Sequence, residues 1–177
     1  MLRELGASVV CADEVAHAVS APGGAAYLGI VQRFGCAVLN ADATIDRERL
    51  GQVVFGDEQA RADLNAITHP AVFAELFRQA AAATTPVVIL DVPLLIETGL
   101  HTGLAEVILV YAPPAVQLER LMCRNQLSEA AAQARIASQL PIDEKRASAS
   151  IVIDNSGDLA TTRAQVEQAY AYLLTLA

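Results

Sequence analysis

Four short aliphatic stretches, separated by longer helical segments, constrain the fold of this chain more than any other feature. They are ASVV at 7–10, VVIL at 87–90, EVILVY at 106–111 and SIVID at 150–154. Uninterrupted runs of this kind are typical of strands in a parallel sheet that helices cover on both faces. Because the strands alternate with helical segments, the sequence predicts an α/β protein with a doubly wound parallel sheet.

The helical segments form two blocks that are too long for simple crossover connections. In the first block, EQARADLNAI and THPAVFAELFRQAAAAT are predicted as two helices, because Thr68 can cap the second and Pro70 suits its first turn. Both blocks follow the carboxyl ends of strands, where open α/β sheets bind their ligands. We therefore expect the blocks to be insertions that serve binding.

Composition and charge exclude several classes of protein. The chain has 177 residues, a formal net charge of −8 and three cysteines that lie far apart. The acidic balance argues against a nucleic-acid partner, and no apolar stretch approaches the roughly 20 residues of a membrane span. No signal peptide is recognisable, and an odd number of cysteines suits a reducing compartment. We expect a cytoplasmic protein without a membrane partner, in which Cys11, Cys36 and Cys123 are small buried side chains.

Three strands are followed by polar side chains that could carry chemistry. Asp13 lies at the start of a helix after the first strand, where it could be a helix cap or a functional carboxylate. Asp91 ends an aliphatic strand in the Walker-B manner, in which the acid helps to hold Mg²⁺, although many strands end in aspartate. Residues 154–157, DNSG, follow the fourth strand and are also typical of an ordinary turn.

Basic residues are concentrated in one part of an otherwise acidic chain. Arg120 and Arg124 share one helix face, and Arg135 lies on the next predicted helix. Such arginines form either a solvated surface or a lid whose guanidinium groups bind a polyphosphate. The three histidines lack the spacing of a zinc site, and the sequence contains no G-x-S-x-G motif of a serine hydrolase.

Six motifs follow one another along nearly the whole chain. They are LGASVVCADEVAHAVSAPGGAAY, DRERLGQVVF, LNAITHP, DVPLLIETGL, QLERLMCRNQLSEAAAQARIASQ and VIDNSG. The dipeptide FG at 34–35 and Lys145 belong to the same pattern. Together they resemble the dephospho-CoA kinase family. The resemblance implies a three-layer, P-loop NTPase-like parallel sheet with an inserted helical substrate domain and a lid. It also implies transfer of the γ-phosphoryl group of ATP to the ribose 3′-hydroxyl of dephospho-CoA, the last step of coenzyme A biosynthesis, with Mg²⁺ as cofactor.

The resemblance also assigns regions and residues. Residues 1–13, 85–115 and 149–177 would form the nucleotide-kinase core, 14–84 the helical dephospho-CoA-binding region and 116–148 the lid. Asp13 matches the general base. For Asp91 it is the Walker-B pattern, not the resemblance, that predicts contact with Mg²⁺ through water. The dephospho-CoA side is matched by His69, Pro93, Leu94 and Glu97. The ATP side is matched by Arg120, Arg124, Arg135, Asn155 and Gly157.

Two departures from the family pattern affect the expected activity. Cys11 replaces the first acid of a D-A-D motif, and a thiol does not replace a carboxylate in orienting Mg²⁺ or water at neutral pH. The sequence also has no G-x-x-x-x-G-K-[ST] loop to bind phosphates, and MLRELG resembles the end of the helix that follows that loop.

The missing loop leads to expectations about the start and the activity of the chain. We expect Met1 to be an internal methionine of a longer protein, and the fold to be N-terminally truncated. The 177-residue chain by itself should then be poorly stable and should lack useful kinase activity, with rates below about 1 per second. The alternatives are a non-catalytic module that binds CoA or dephospho-CoA, and a helical interaction protein built on the same scaffold.

Overall fold

A computed structural model describes all 177 residues, which form two compact units. The first unit comprises Ser8–Val92, and the second comprises Met1–Ala7 together with Pro93–Ala177. Each unit contains one pair of parallel strands. The pairs are β1 (Ser8–Cys11) with β2 (Val88–Asp91), and β3 (Ile108–Tyr111) with β4 (Ile151–Asp154). None of the helices combines the length and the apolar character that crossing a bilayer requires.

The predicted α/β class with parallel strands is confirmed, but the strands do not form one continuous sheet. Hydrogen bonds join β1 only to β2 and β3 only to β4. Parallel strands need a crossover connection between them. In both pairs that crossover is one of the long helical blocks, so each block and its two strands fold within one unit.

The first unit packs its strand pair against four helices. These are α1 (Ala12–Val19), α2 (Tyr27–Phe34), α3 (Arg47–Phe55) and α4 (Glu58–Ala82). Its core is aliphatic, and Ile30, Val38 and Leu76 are its largest fully buried side chains. The apolar faces of the helices therefore meet in one cluster that also includes Val10 of β1.

The prediction of two helices around Pro70 is wrong, because α4 runs through this residue as one helix of 25 residues. Pro70 has no N–H to donate to the preceding turn. Thr68 does not cap a helix, and its hydroxyl donates to the carbonyl oxygen of Leu64 instead. Val72 and Leu76, beyond the proline, are buried in the core of the unit. Burial of this second half outweighs the local preference of proline.

The second unit contains β3 and β4 and four further helices. These are α5 (Pro114–Asn125), α6 (Glu129–Ala137), α7 (Ile142–Lys145) and α8 (Leu159–Leu174). α8 packs along β4, where Ile153, Val166 and Ala169 form a buried cluster. Gly6 ends a short 3₁₀ turn with a φ of 105°, a left-handed conformation that glycine adopts readily.

Two expectations about burial are wrong. Val110 of β3 lies in register with the buried Ile153 but is 57 % exposed, because α8 packs along β4. β3 is therefore not covered on both faces at this position. Cys36 and Cys123 are exposed and Cys11 is half-buried. The two exposed thiols lie on a 3₁₀ turn whose only buried residue is Val38 and on α5, which has no buried residue.

Candidate functional site

The carboxyl end of the β1–β2 pair brings together two acidic residues. Cys11 ends β1 and Asp91 ends β2, and the parallel register places these residues opposite each other. Neighbouring strands are about 4.8 Å apart, so the two residues are adjacent. Asp13 follows two residues later, in the first turn of α1. The carboxylates predicted to be the base and the magnesium-side ligand therefore lie at the same strand ends, within one unit.

Asp13 does not cap a helix. Cys11 occupies the N-cap position of α1, and no side chain accepts a hydrogen bond there. By contrast, three other helices are capped by aspartates that each accept a backbone N–H, namely Asp46, Asp57 and Asp158. The Asp13 carboxylate is exposed and has neither a hydrogen-bond nor an ion-pair partner. Of the two roles that the sequence allowed, the structure removes the cap and leaves an exposed, unpaired carboxylate.

Asp91 offers a ligand that suits a magnesium ion arriving with a nucleotide. Its carboxylate is exposed and unpaired at the end of β2. Mg²⁺ is usually bound by one or two carboxylates together with water and substrate phosphates. The opposite residue, Cys11, offers sulfur, which Mg²⁺ disfavours. No three His, Cys, Asp or Glu side chains come together as a metal site, so the residues present fit a metal that brings most of its own ligands.

His69 is held in orientation by an aromatic neighbour on α4. Its ring packs against that of Phe73 one turn later in a tilted arrangement, with centroids 5.6 Å apart and planes inclined by 38°. The imidazole is half-buried, whereas Pro70 beside it is exposed. The helix that was predicted to begin here instead carries His69 in its middle, where it has a fixed backbone position.

The segment after β2 presents two apolar side chains on the surface. It consists of successive turns, in which Thr98 donates to the carbonyl of Leu94 through its N–H at 3.0 Å and its hydroxyl at 2.9 Å. Pro93 is exposed and Leu94 is 43 % exposed. Both residues are accessible, as their predicted contact with dephospho-CoA requires.

Glu97 is half-buried and forms an ion pair with the buried Lys145. Its Oε1 lies 2.6 Å from Nζ of Lys145 and accepts the N–H of Leu140 at 3.2 Å. Lys145 also donates to Oε1 of Gln139 at 3.1 Å. Burial raises the pKa of the Glu97 carboxyl, but Lys145 and the backbone N–H donors lower it more, so the pKa lies below its ordinary value. The carboxylate predicted to contact the substrate is thus joined to the end of the predicted lid.

Arg120 binds the loop that follows β4. Its Nη1 donates to the carbonyl of Asn155 at 2.6 Å, and its Nη2 to the carbonyl of Ser156 at 3.5 Å. The N–H of Asn155 donates to the carbonyl of Tyr111 at 2.7 Å. The loop is therefore fixed to both β3 and α5 by main-chain contacts.

The loop itself contains the ordinary turn that the sequence allowed. Oδ1 of Asp154 accepts the N–H of Ser156 at 2.8 Å, an Asx turn. Hydrogen bonding to Ser156 holds the pKa of the Asp154 carboxyl below its ordinary value. Oδ1 of Asn155 accepts the hydroxyl of Thr162 at 3.2 Å. A Cβ at Gly157 would meet no atom within 4 Å, so packing does not require glycine there.

The other two predicted phosphate-binding arginines are more accessible. Arg124 is exposed on α5, and its Nε donates to Oδ1 of Asn125 at 2.8 Å. Arg135 is exposed in the last turn of α6 and has no partner. Because α5 and α6 pack against each other, the two guanidinium groups belong to one helical pair. Either group is free to bind an anion without breaking a buried contact.

The partners of Arg120 and Glu97 could not be predicted from the sequence. Arg120 and Asn155 are 35 residues apart, and Glu97 and Leu140 are 43 apart. Neither helical nor strand periodicity reports contacts at such separations. One signal was present, because Lys145 is the only lysine in a chain whose lysines and arginines together number 12.

Comparison with known proteins supports the assignment that the motifs suggested. The family model described as dephospho-CoA kinase matches residues 1–161. Dephospho-CoA kinases of Symbiobacterium thermophilum and Geobacillus kaustophilus are each 45 % identical to the chain, over 173 and 169 residues. The matches cover 96 % and 94 % of this chain, and 72 % and 84 % of the two relatives.

Two solved structures share the fold. A protein of Thermus thermophilus matches with a TM-score of 0.83 and 31 % identity, over 97 % of this chain and 87 % of that one. Dephospho-CoA kinase from Campylobacter jejuni matches with a TM-score of 0.72 and 30 % identity, over 98 % of this chain and 88 % of that one. These neighbours agree with the predicted P-loop NTPase-like, parallel α/β fold. The chain belongs to the dephospho-CoA kinase family.

Proposed function

We propose that this protein is a dephospho-CoA kinase in which Asp13 is the general base. The observation that carries the proposal is the position of Asp13, an exposed and unpaired carboxylate beside the end of β2 where Asp91 lies. Family membership supplies the reaction, transfer of the γ-phosphoryl group of ATP to the ribose 3′-hydroxyl of dephospho-CoA. The helix dipole favours an anion in the first turn of α1, which suits a carboxylate that must be ionised before it accepts a proton.

The chemical step exchanges one phosphorus–oxygen bond for another. The 3′-oxygen of the acceptor bonds to the γ-phosphorus of ATP while the bond from that phosphorus to the bridging oxygen of ADP breaks. Asp13 takes the hydroxyl proton and passes it to water after the products leave. General base catalysis of this kind contributes about 10²- to 10⁴-fold to a rate. When bound, Mg²⁺ neutralises charge on the phosphates, and Asp91 would hold it through water.

The proposed binding surfaces are assigned to separate parts of the chain. His69, Pro93 and Leu94 would contact dephospho-CoA, since all three are at least partly accessible. Arg124 and Arg135 would bind the phosphates of ATP through charge-assisted hydrogen bonds. Arg120, Asn155 and Gly157 would form the adenine side, with Arg120 acting through its contacts to the main chain of the loop. We place the reaction in the cytoplasm, where three unpaired cysteines stay reduced.

The 177-residue sequence contains no glycine-rich phosphate loop. The backbone N–H groups and the lysine of such a loop stabilise the charge of the transferred group. We therefore propose that this chain turns over well below about 1 per second, the lower end of ordinary kinase rates, while it still binds the acceptor. The comparisons do not favour a module that has lost the reaction altogether.

Calorimetric titration with dephospho-CoA tests the proposed acceptor site. The parent chain should bind dephospho-CoA in a saturable manner, and His69→Ala should weaken binding by about tenfold, or 1.4 kcal/mol. Arg61→Gln is the matched control, because Arg61 is exposed and unpaired on the same helix. Absence of saturable binding to the parent chain, with circular dichroism showing a folded protein, would overturn the proposal.

A further inference from the structure

Lys145 is unusual because no other lysine occurs in the chain and because its side chain is buried. It is the only lysine of the chain, and its side chain is 9 % exposed. Lysines are almost never fully buried unless they are paired, because removing an ammonium group from water is costly. The surroundings of Lys145 must therefore supply specific partners for its charge.

Those partners converge from two directions. Nζ lies 2.6 Å from Oε1 of Glu97 and 3.1 Å from Oε1 of Gln139. The same Glu97 oxygen accepts the N–H of Leu140 at 3.2 Å. Gln139 and Leu140 lie between α6 and α7, and Lys145 is the last residue of α7. Oε1 of Glu97 therefore contacts both ends of segment 140–145, which lies near the C-terminal end of residues 116–148.

We propose that Glu97 is a positioning residue that fixes the lid through Lys145. The lid is the segment 116–148, which carries the exposed Arg124 and Arg135. The Glu97–Lys145 pair, called the latch below, anchors the exit of this segment and so determines where the two arginines are held. This inference rests on the proposed function, because it assigns a device to the lid of the same kinase.

Because Lys145 is buried and Glu97 is half-buried, the latch should be sensitive to the loss of one partner. Removal of one charge leaves the other buried and uncompensated, whereas removal of both is much milder. Lysine suits the position because its ammonium group is compact and donates in three directions. Single substitutions should therefore open the latch, and the double substitution should partly restore it.

Chemical labelling reports the latch directly, because the chain offers one lysine and one N-terminal amine. With an amine-reactive acetylating ester and mass spectrometry, Lys145 of the parent should react slowly, and Glu97→Gln should raise its rate by about tenfold. Arg163→Gln is the control, since it breaks an ion pair of 3.0 Å with Glu4 whose side chains are 46 % and 61 % exposed. An equal labelling rate in Glu97→Gln and the parent would overturn the latch.

Hydrogen exchange separates a positioning role from general destabilisation. Lys145→Met should speed amide exchange in α6 and α7 by about tenfold and leave α8 unchanged, because α8 packs on β4. The double variant Glu97→Gln/Lys145→Met should lie closer to the parent than Lys145→Met does. Faster exchange throughout the second unit, α8 included, would contradict a local role.

The affinity for dephospho-CoA shows whether Glu97 acts through the latch or contacts the substrate directly. It also shows whether the proposed function itself fails. Glu97→Gln should bind dephospho-CoA within about twofold of the parent. A tenfold loss of affinity with unchanged labelling of Lys145 would make Glu97 a substrate ligand and overturn the inference. If the parent binds no dephospho-CoA, the proposed function fails, and labelling and exchange still decide the latch.

Discussion

Asp13 is available for chemistry because the helix that it begins does not depend on its side chain. Cys11 occupies the N-cap position, and the Asp13 carboxylate has no partner to lose. Substitutions at exposed positions without such partners usually change stability by less than about 0.5 kcal/mol. An effect of Asp13→Asn on phosphoryl transfer can therefore be separated from an effect on folding.

Replacing two glycines by alanine should change the free energy of unfolding in opposite directions. Gly6 has a φ of 105°, and a Cβ there would lie 3.2 Å from the Tyr170 hydroxyl. Gly6→Ala should lower the free energy of unfolding by about 1 kcal/mol or more. Gly51 lies inside α3, where a Cβ would meet no atom within 4 Å, so Gly51→Ala should raise it by about 0.5 to 1 kcal/mol. Urea unfolding measures both variants, and changes of the same sign would contradict this account.

For single residues, the sequence is sufficient to predict a side chain whose location depends only on the end of a nearby strand. Asp13 and Asp91 could be predicted as strand-end carboxylates, because a strand of aliphatic residues marks its own end. The unpaired state of the Asp13 carboxylate could not be predicted, because an aspartate that caps a helix has the same sequence pattern as one that does not. The contacts of Glu97 and Arg120 with distant residues required the folded chain.

Among the elements, α4 determines the packing of the first unit. The helix contacts α1, α2 and α3 and both strands. It continues through Pro70 because its second half contributes to the core. Local residue preferences do not predict this continuation. Helix caps, in contrast, are local features: the Ser128 side chain caps α6 by accepting the N–H of Ala131. Each strand also lies within a residue or two of its predicted bounds.

Adjacent residues on α4 test this packing. Leu76 is fully buried and Phe77, its neighbour, is 45 % exposed. Leu76→Ala should lower the free energy of unfolding by about 2 to 5 kcal/mol, because it leaves a cavity in the core. Phe77→Ala should lower it by less than about 1 kcal/mol. Denaturant titration followed by far-ultraviolet circular dichroism gives both values, and comparable losses would show that α4 does not present Leu76 to the core.

For the whole molecule, the order of strands and helices predicted the fold class, and the motifs predicted the family. Both succeed because alternating aliphatic runs and helical segments are distributed over the entire chain. The pairing of the strands within two separate units was not predicted, because the aliphatic pattern of a strand does not show which other strand it pairs with. The proposed catalytic carboxylates belong to the first unit, whereas the latch and the arginines belong to the second.

The most direct test of the central claim is formation of CoA from dephospho-CoA, with protein in excess over substrate and the product identified by mass. The parent chain should form CoA slowly, and only with ATP and Mg²⁺. Asp13→Asn should reduce the rate by about 10²-fold or more. Glu14→Gln, which changes the next exposed carboxylate in the same turn, should leave it unchanged. No CoA from the parent, or equal rates in the two variants, would contradict the account.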